Sequence, residues 1–164
     1  MKEIDGMTGK KASSNSADLN WFNSPSQESE TVKQQYDEFA PDYDIVLIEE
    51  WGYRAPSEAA DLISEVLPGN AKILDAGCGT GITGKALYDA GFRQIHGVDI
   101  SEASLEIAKA SGVYTALLPC DLQKPLPFED DSFDAAQCIG VLTYIKGDGV
   151  LREFIRIVRP GGYI

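Results

Sequence analysis

The sequence predicts an α/β fold in which a parallel β-sheet is covered by helices on both faces. Three observations lead there. Beyond Asn70, short apolar runs alternate with amphipathic segments of helical length, the arrangement of β-α-β units rather than of a sandwich or a bundle. Four glycines crowd the stretch "ILDAGCGTGITG", residues 73–84, directly behind the first such run. Three aspartates, Asp75, Asp99 and Asp121, follow three successive runs, where the ligands of parallel sheets bind.

Length and composition set the outer limits. A chain of 164 residues with 43% apolar side chains suits one domain with a sizeable core. Its net charge of −12, with no Lys/Arg run longer than Lys10-Lys11, opposes both nucleic acid and anionic membrane surfaces as partners. No apolar segment approaches a membrane span, and the N-terminus lacks the apolar core of a signal peptide. Cys78, Cys120 and Cys138 are odd in number and not spaced as CxxC, and His96 is the one histidine. Free thiols and a cytoplasmic protein without a metal are therefore expected.

The elements follow in order. Residues 1–29 are rich in Ser, Asn and charge, with Trp21-Phe22 as their one apolar pair, and are expected as a disordered tail. Residues 30–69 are expected as an N-terminal helical cap. Val32, Tyr36 and Phe39 have helical spacing until Pro41 interrupts it, and a second helix runs from Pro56 to a stop at Pro68-Gly69. From 70 to 164 the alternation is regular: a strand at 71–76, a helix at 81–90 closed by Gly91, and a strand at 94–100. Ser101 is the expected N-cap of a helix running to about Ala110, with Glu102 at its positive end. Strands at 114–118 and 133–139 follow, then a helix at 148–158 and the start of a fifth strand in "RPGGYI".

The glycine cluster supports two registers. Gly79-x-Gly81-x-x-Gly84 satisfies the dinucleotide fingerprint, a weak signal by itself. Asp75-x-Gly77-x-Gly79-x-Gly81 places an acid at the strand end. A pyrophosphate would sit on helix N-terminal amides and be opposed by that acid, whereas a sulfonium with an ammonium group would be attracted. The dinucleotide register also begins too far beyond the strand, so the acidic register is preferred. Asp99 can accept both hydroxyls of a ribose, because two carboxylate oxygens match a vicinal diol. Asp121 can accept from an adenine amine while the Leu122 amide donates to a ring nitrogen. Cys78 lacks a histidine partner and reads as a small loop residue, His96 reads as structural, and "FEDDSFD" reads as a solvated turn rather than a metal site.

These motifs resemble class I S-adenosylmethionine-dependent methyltransferases over residues 36–164. "ILDAGCGTG" is similar to the family's first motif, "GVDIS" to its second-strand acid, "CDLQKPLPFEDDSFD" to its adenine loop and fourth strand, and "LREFIRIVRPGGYI" to its entry into strand five. "YDEFAPDYD" with "YRAP" resembles the methyltransferase-like proteins of the Williams-Beuren syndrome region. The resemblance implies a Rossmann-like three-layer sandwich and S-adenosyl-L-methionine as cofactor. It places Asp75, Gly77, Gly79 and Gly81 at the methionine end, Asp99 at the ribose, and Asp121 with Leu122 at the adenine. Ile100 would cover the adenine face, Ile139, Gly140 and Val141 would lie near the sulfonium, and Tyr36 and Tyr43 would belong to a lid.

The family's sheet continues beyond a fifth strand, so the resemblance implies a sheet truncated after strand four or at the start of strand five. A four-stranded remnant would leave an apolar edge on the fourth strand, through which copies could self-associate. The expected function is methyl transfer to an unidentified acceptor, a small molecule or a protein, weakened or lost by truncation. The alternatives are a catalytically silent adenosyl-ligand-binding or interaction module and an NAD-dependent oxidoreductase.

Overall fold

The computed structural model describes residues 19–164. Its centre is a parallel five-stranded sheet in the order β3-β2-β1-β4-β5, made of β1 (Lys72–Ala76), β2 (Gln94–Asp99), β3 (Ala116–Pro119), β4 (Phe133–Gln137) and β5 (Val158–Tyr163). The helices are α1 (Ser29–Asp44), α2 (Ala55–Val66), α3 (Ile82–Asp89), α4 (Glu102–Ala110) and α5 (Gly149–Ile157). Alternation along β1 builds the layers. Ile73 joins Ala60 of α2, Leu87 of α3 and Phe92 on one face, whereas Leu74 joins Phe154 and Ile157 of α5 on the other. All seven side chains are almost fully buried. A strand buried on both faces reads as the continuous apolar run that the sequence shows.

Most element boundaries fall within one or two residues of expectation, and the caps explain why. Ser101 Oγ accepts the Ser104 N–H at 3.0 Å at the start of α4, as its residue type requires. Pro56 occupies the first turn of α2, where a missing N–H costs nothing.

Three expectations are corrected. First, the end of the expected tail is packed: Leu19–Asn23 forms a 3-10 turn, and Trp21 and Phe22 pack edge-on against Tyr36 and Phe39. The apolar pair has a partner surface that composition does not reveal. Residues 1–18 of that tail lie outside the described residues. Second, Pro41 does not interrupt α1, which continues to Asp44 and then into a π-helical segment, Ile45–Glu50. Burial of Phe39, Ala40 and Leu47 holds the helix on the domain across the proline.

Third, β4 is not an open edge. β5 is six residues long and pairs with it in parallel, Phe133 opposite Val158 and Ala135 opposite Tyr163, across an irregularity in register. The glycines of "RPGGYI" permit this irregular strand, with Gly161 in the left-handed region at φ 84°. Self-association through the β4 edge therefore has no free edge to use. The division expected at residue 70 falls between α2 and β1, which share one core.

Candidate functional site

The chain runs from β1 out through β2 to β3, then returns to the other side of β1 for β4. The crevice beyond the carboxyl ends of β1 and β4 is the topological switch point of such a sheet. A cavity of about 630 Å³, counted to its open mouth, lies there.

The loop after β1 is shaped by backbone contacts. The N–H groups of Gly77 and Cys78 both donate to the Val98 carbonyl, at 2.8 and 3.0 Å. Gly77 is in the left-handed region at φ 77°, and a Cβ there would stand 2.4 Å from Val141 Cγ2. Glycine thus lets the loops after β1 and β4 touch, which closes one end of the cavity. Cys78 is buried against this loop, and burial with the Asp75 and Asp99 charges pushes its thiol well above the ordinary range.

Asp75 does not line the cavity. It is fully buried beneath the loop, where its Oδ2 accepts the hydroxyls of Thr83 at 2.6 Å and Tyr114 at 2.7 Å and its Oδ1 accepts Gln137 Nε2 at 2.9 Å. Burial raises its pKa despite these three donors. The Tyr114 hydroxyl also accepts the Gly84 N–H at 3.0 Å, and its ring fills the space where a Cβ of Gly84 would lie, 2.1 Å from Tyr114 Cζ. The expected contact of Asp75 with the methionine end is therefore replaced by a pin joining β1, α3, β4 and Tyr114. Gly81, expected beside it, also lies off the cavity and packs against Ala108 and Tyr114.

Asp99, at the end of β2, does line the cavity. Its Oδ2 accepts the Gly79 N–H and its Oδ1 the Ser101 N–H, each at 2.8 Å. Burial pushes its pKa up to about 6 against those two donors, and the Asp75 charge adds to the rise. Each oxygen keeps a lone pair free for a further donor. Asp121 follows β3. Burial opposes its ionisation but is outweighed by the Gln123 N–H at 2.9 Å, Ser29, and Lys124 at 3.4 Å, so its pKa is lowered.

The cap closes the opposite wall. Ser29, Val32, Tyr36 and Tyr43 of α1 face the cavity, and Tyr144 stands 5.6 Å from Tyr36, ring to ring and edge-on. Burial pushes the hydroxyls of Tyr36, Tyr43 and Tyr144 above the ordinary tyrosine range, so they remain neutral donors. The strap before α1 is tied down by Gln27 to the carbonyls of Thr143 and Ile145, and by Lys146 to Glu28.

Eleven of the thirteen residues singled out in the sequence meet at this cavity: Tyr36, Tyr43, Gly77, Gly79, Asp99, Ile100, Asp121, Leu122, Ile139, Gly140 and Val141. Sequence reasoning missed Ser29, Val32, Cys120, Gln123, Tyr144 and Ile145, which line it as well. Ser29 and Val32 share a helix face with Tyr36 and Tyr43 by their spacing, and that periodicity is visible in the sequence. Tyr144 lies in a loop without period and carries no such signal. Among the described residues, the lining holds two carboxylates, Asp99 and Asp121, and no cationic side chain. It therefore favours a neutral or cationic ligand with several hydroxyl or amine donors.

Comparison with known proteins agrees with this geometry. A methyltransferase domain model matches residues 74–164, more than half of the chain. The chain is 41% identical over 136 residues to human methyltransferase-like protein 27, covering 79% of this chain and 54% of that protein. It thus spans about half the length of this curated relative. The [4+2]-cyclase SpnF superimposes with a TM-score of 0.68 at 28% identity, over 84% of this chain and 59% of its own. A putative methyltransferase solved in complex with the Haloferax volcanii Trm112 methyltransferase activator gives 0.64 at 26% identity, over 78% and 57%. With the sheet order, the glycine loop and the acids after β2 and β3, these matches establish that the chain belongs to the methyltransferase domain family, the class I S-adenosylmethionine-dependent methyltransferases.

Proposed function

We propose that the chain binds S-adenosyl-L-methionine in the cavity at the switch point and contributes this cofactor half to methyl transfer onto an acceptor of unspecified class. The observation that carries the reading is the cavity lining: two carboxylates, three tyrosines and a glycine loop, with no cationic side chain. Asp99 would take the ribose hydroxyls. Asp121 and the Leu122 amide would take the adenine edge, with Ile100 against its face. Gly77, Gly79 and the segment Ile139, Gly140 and Val141 would border the methionine and sulfonium, beneath Tyr36 and Tyr43.

S-adenosylmethionine supplies a methyl group already activated by positive sulfur, so in-line displacement needs chiefly positioning and exclusion of water. The tyrosine wall and the Gly77–Val141 contact serve both needs. Free Cys78, Cys120 and Cys138 support a reducing compartment, the cytoplasm. Among the described residues no helix is long and apolar enough to cross a membrane.

Calorimetric titration tests the ligand. S-adenosylmethionine and S-adenosylhomocysteine should bind and raise the melting temperature, and NAD should do neither. Binding of NAD alone would refute the reading. A second reading, an adenosyl-ligand-binding module without methyl transfer, is favoured by the likeness to SpnF, a [4+2]-cyclase. Cofactor binding without turnover on any supplied acceptor would favour it.

A further inference from the structure

The segment "YDEFAPDYD" contains a tyrosine–aspartate pair twice, at Tyr36-Asp37 and Tyr43-Asp44. Seven residues is about two turns of helix, so the tyrosines share one face of α1 and the aspartates a neighbouring one. The tyrosines line the cavity. The aspartates reach past it to the sheet.

Asp37 Oδ1 accepts the Ser101 hydroxyl at 2.7 Å and the Ala103 N–H at 3.1 Å, both at the turn between β2 and α4. Lys33 Nζ, 2.7 Å from Asp37 Oδ2, favours its charged form. Asp44 Oδ1 accepts the Thr80 hydroxyl at 2.5 Å, in the middle of the glycine loop. These are the two turns that hold Asp99: the Ser101 N–H binds its Oδ1 and the Gly79 N–H its Oδ2. Each oxygen of the proposed ribose acceptor is fixed by one turn, and each turn is gripped by one aspartate of α1.

We propose that Asp37 and Asp44 are positioning residues for the cofactor site, a two-point clasp that makes the seating of α1 and the orientation of Asp99 a single event. Tyr36 and Tyr43 then reach the ligand only when the turns beneath them are already set. An unseated α1 would leave Gly79, Ser101 and Asp99 free to drift, and would open the cavity along its whole tyrosine wall. The inference rests on the assignment of Asp99 to the cofactor, and its test separates the two.

Of the two tryptophans, Trp51 lies in the cap against Phe22, and Trp21, in the turn before α1, packs edge-on against Tyr36 and Phe39. Their emission therefore reports the seating of α1 without any ligand. In Asp37→Ala/Asp44→Ala, emission of the free chain should shift to the red. Affinity for S-adenosylhomocysteine should fall tenfold or more, roughly the effect of losing hydrogen bonds to charged acceptors. Saturating S-adenosylhomocysteine should return the emission to that of the wild type. Asp37→Asn keeps an oxygen that accepts both bonds, so its affinity should stay within about threefold of wild type, well below the effect of such a loss. Thr80→Val removes the Asp44 bond from the other side and should reproduce the shift, which keeps the test valid if the double variant does not fold. Wild-type emission in both the double variant and Thr80→Val overturns the clasp. So does an emission shift with unchanged affinity, or an Asp37→Asn variant as weak as Asp37→Ala. Failure of the wild type to bind S-adenosylhomocysteine refutes the cofactor assignment, and the ligand-free emission still decides whether the aspartates seat α1.

Discussion

Lowering the pH from 7 to 5 should weaken S-adenosylhomocysteine binding about tenfold, through Asp99 alone, since an acid with a pKa near 6 is about one-eleventh ionised at pH 5 and mostly ionised at pH 7. Burial pushes this carboxyl up to about 6. Its two oxygens already accept the Gly79 and Ser101 N–H groups, so a proton on either would take one of the remaining lone pairs that the proposed ribose contact uses. Asp99→Asn should bind more weakly at pH 7 by about 1.5–3 kcal/mol and should show no such pH dependence. Stability has the opposite sign. A raised acid costs the fold stability above its folded pKa, so ionised Asp99 opposes folding by about 3 kcal/mol at pH 7. That cost fades as the pH falls from about 6 toward 4. Asp75, also raised by burial, acts in the same direction. His96, lowered by burial and by Lys72, acts in the other, losing stability as the pH falls through the ordinary histidine range. Comparing wild type with Asp99→Asn, by titration calorimetry and urea melts from pH 5 to 7.5, cancels both. Wild-type affinity that stays flat across this range, or an equal slope in the asparagine variant, would refute the assignment.

Two further predictions concern the frame of the site. Gly84→Ala should destabilise the chain by about 1–3 kcal/mol, because its Cβ would overlap the Tyr114 ring, and adding Tyr114→Ala should not add its full single-variant cost; additive losses in urea melts would count against the fit. Arg156 donates to the carbonyls of Leu126 and Phe128 and pairs with Asp130 and Glu153, pinning the loop before β4 to α5. Arg156→Met should cost about 1–3 kcal/mol, and hydrogen exchange should quicken across residues 126–131; unaltered exchange there would show that the loop is held otherwise.

The legible part of this fold is local. Alternation between apolar runs and helical segments, the Ser101 cap and the stop at Pro68-Gly69 are short-range signals, and the elements they mark stand where expected. The acids after β2 and β3 were legible for the same reason, since a strand's carboxyl end is a sequence position as much as a place. What escaped depends on partners far along the chain. Trp21 and Phe22 look like part of a polar tail until α1 supplies a surface, and the strand begun in "RPGGYI" covers the β4 edge only through its pairing with that distant segment.

Asp75 has a structural place that the glycine motif alone does not reveal. The acid in the glycine motif argued for a cationic ligand and against a pyrophosphate, yet it is buried, accepts three hydrogen bonds and lies off the cavity. The charge that matters comes from elsewhere. Asp99 and Asp121 line the cavity, and Asp44, brought from α1, sits against Thr80 beside the start of α3. A pyrophosphate on the N-terminal amides of α3 would meet the Asp44 carboxylate at close range, and displacing it would break the hold of α1 on the glycine loop. Removing the Asp75 charge should therefore act on folding, whereas removing Asp44 should act on ligand binding. Asp75→Asn keeps one oxygen to accept both Thr83 and Tyr114 but sets an N–H₂ against the third donor, Gln137 Nε2, so urea melts should register its cost. The folded fraction of Asp75→Asn should bind S-adenosylhomocysteine with near-wild-type affinity. A folded Asp75→Asn chain that has lost the ligand would return Asp75 to the binding site.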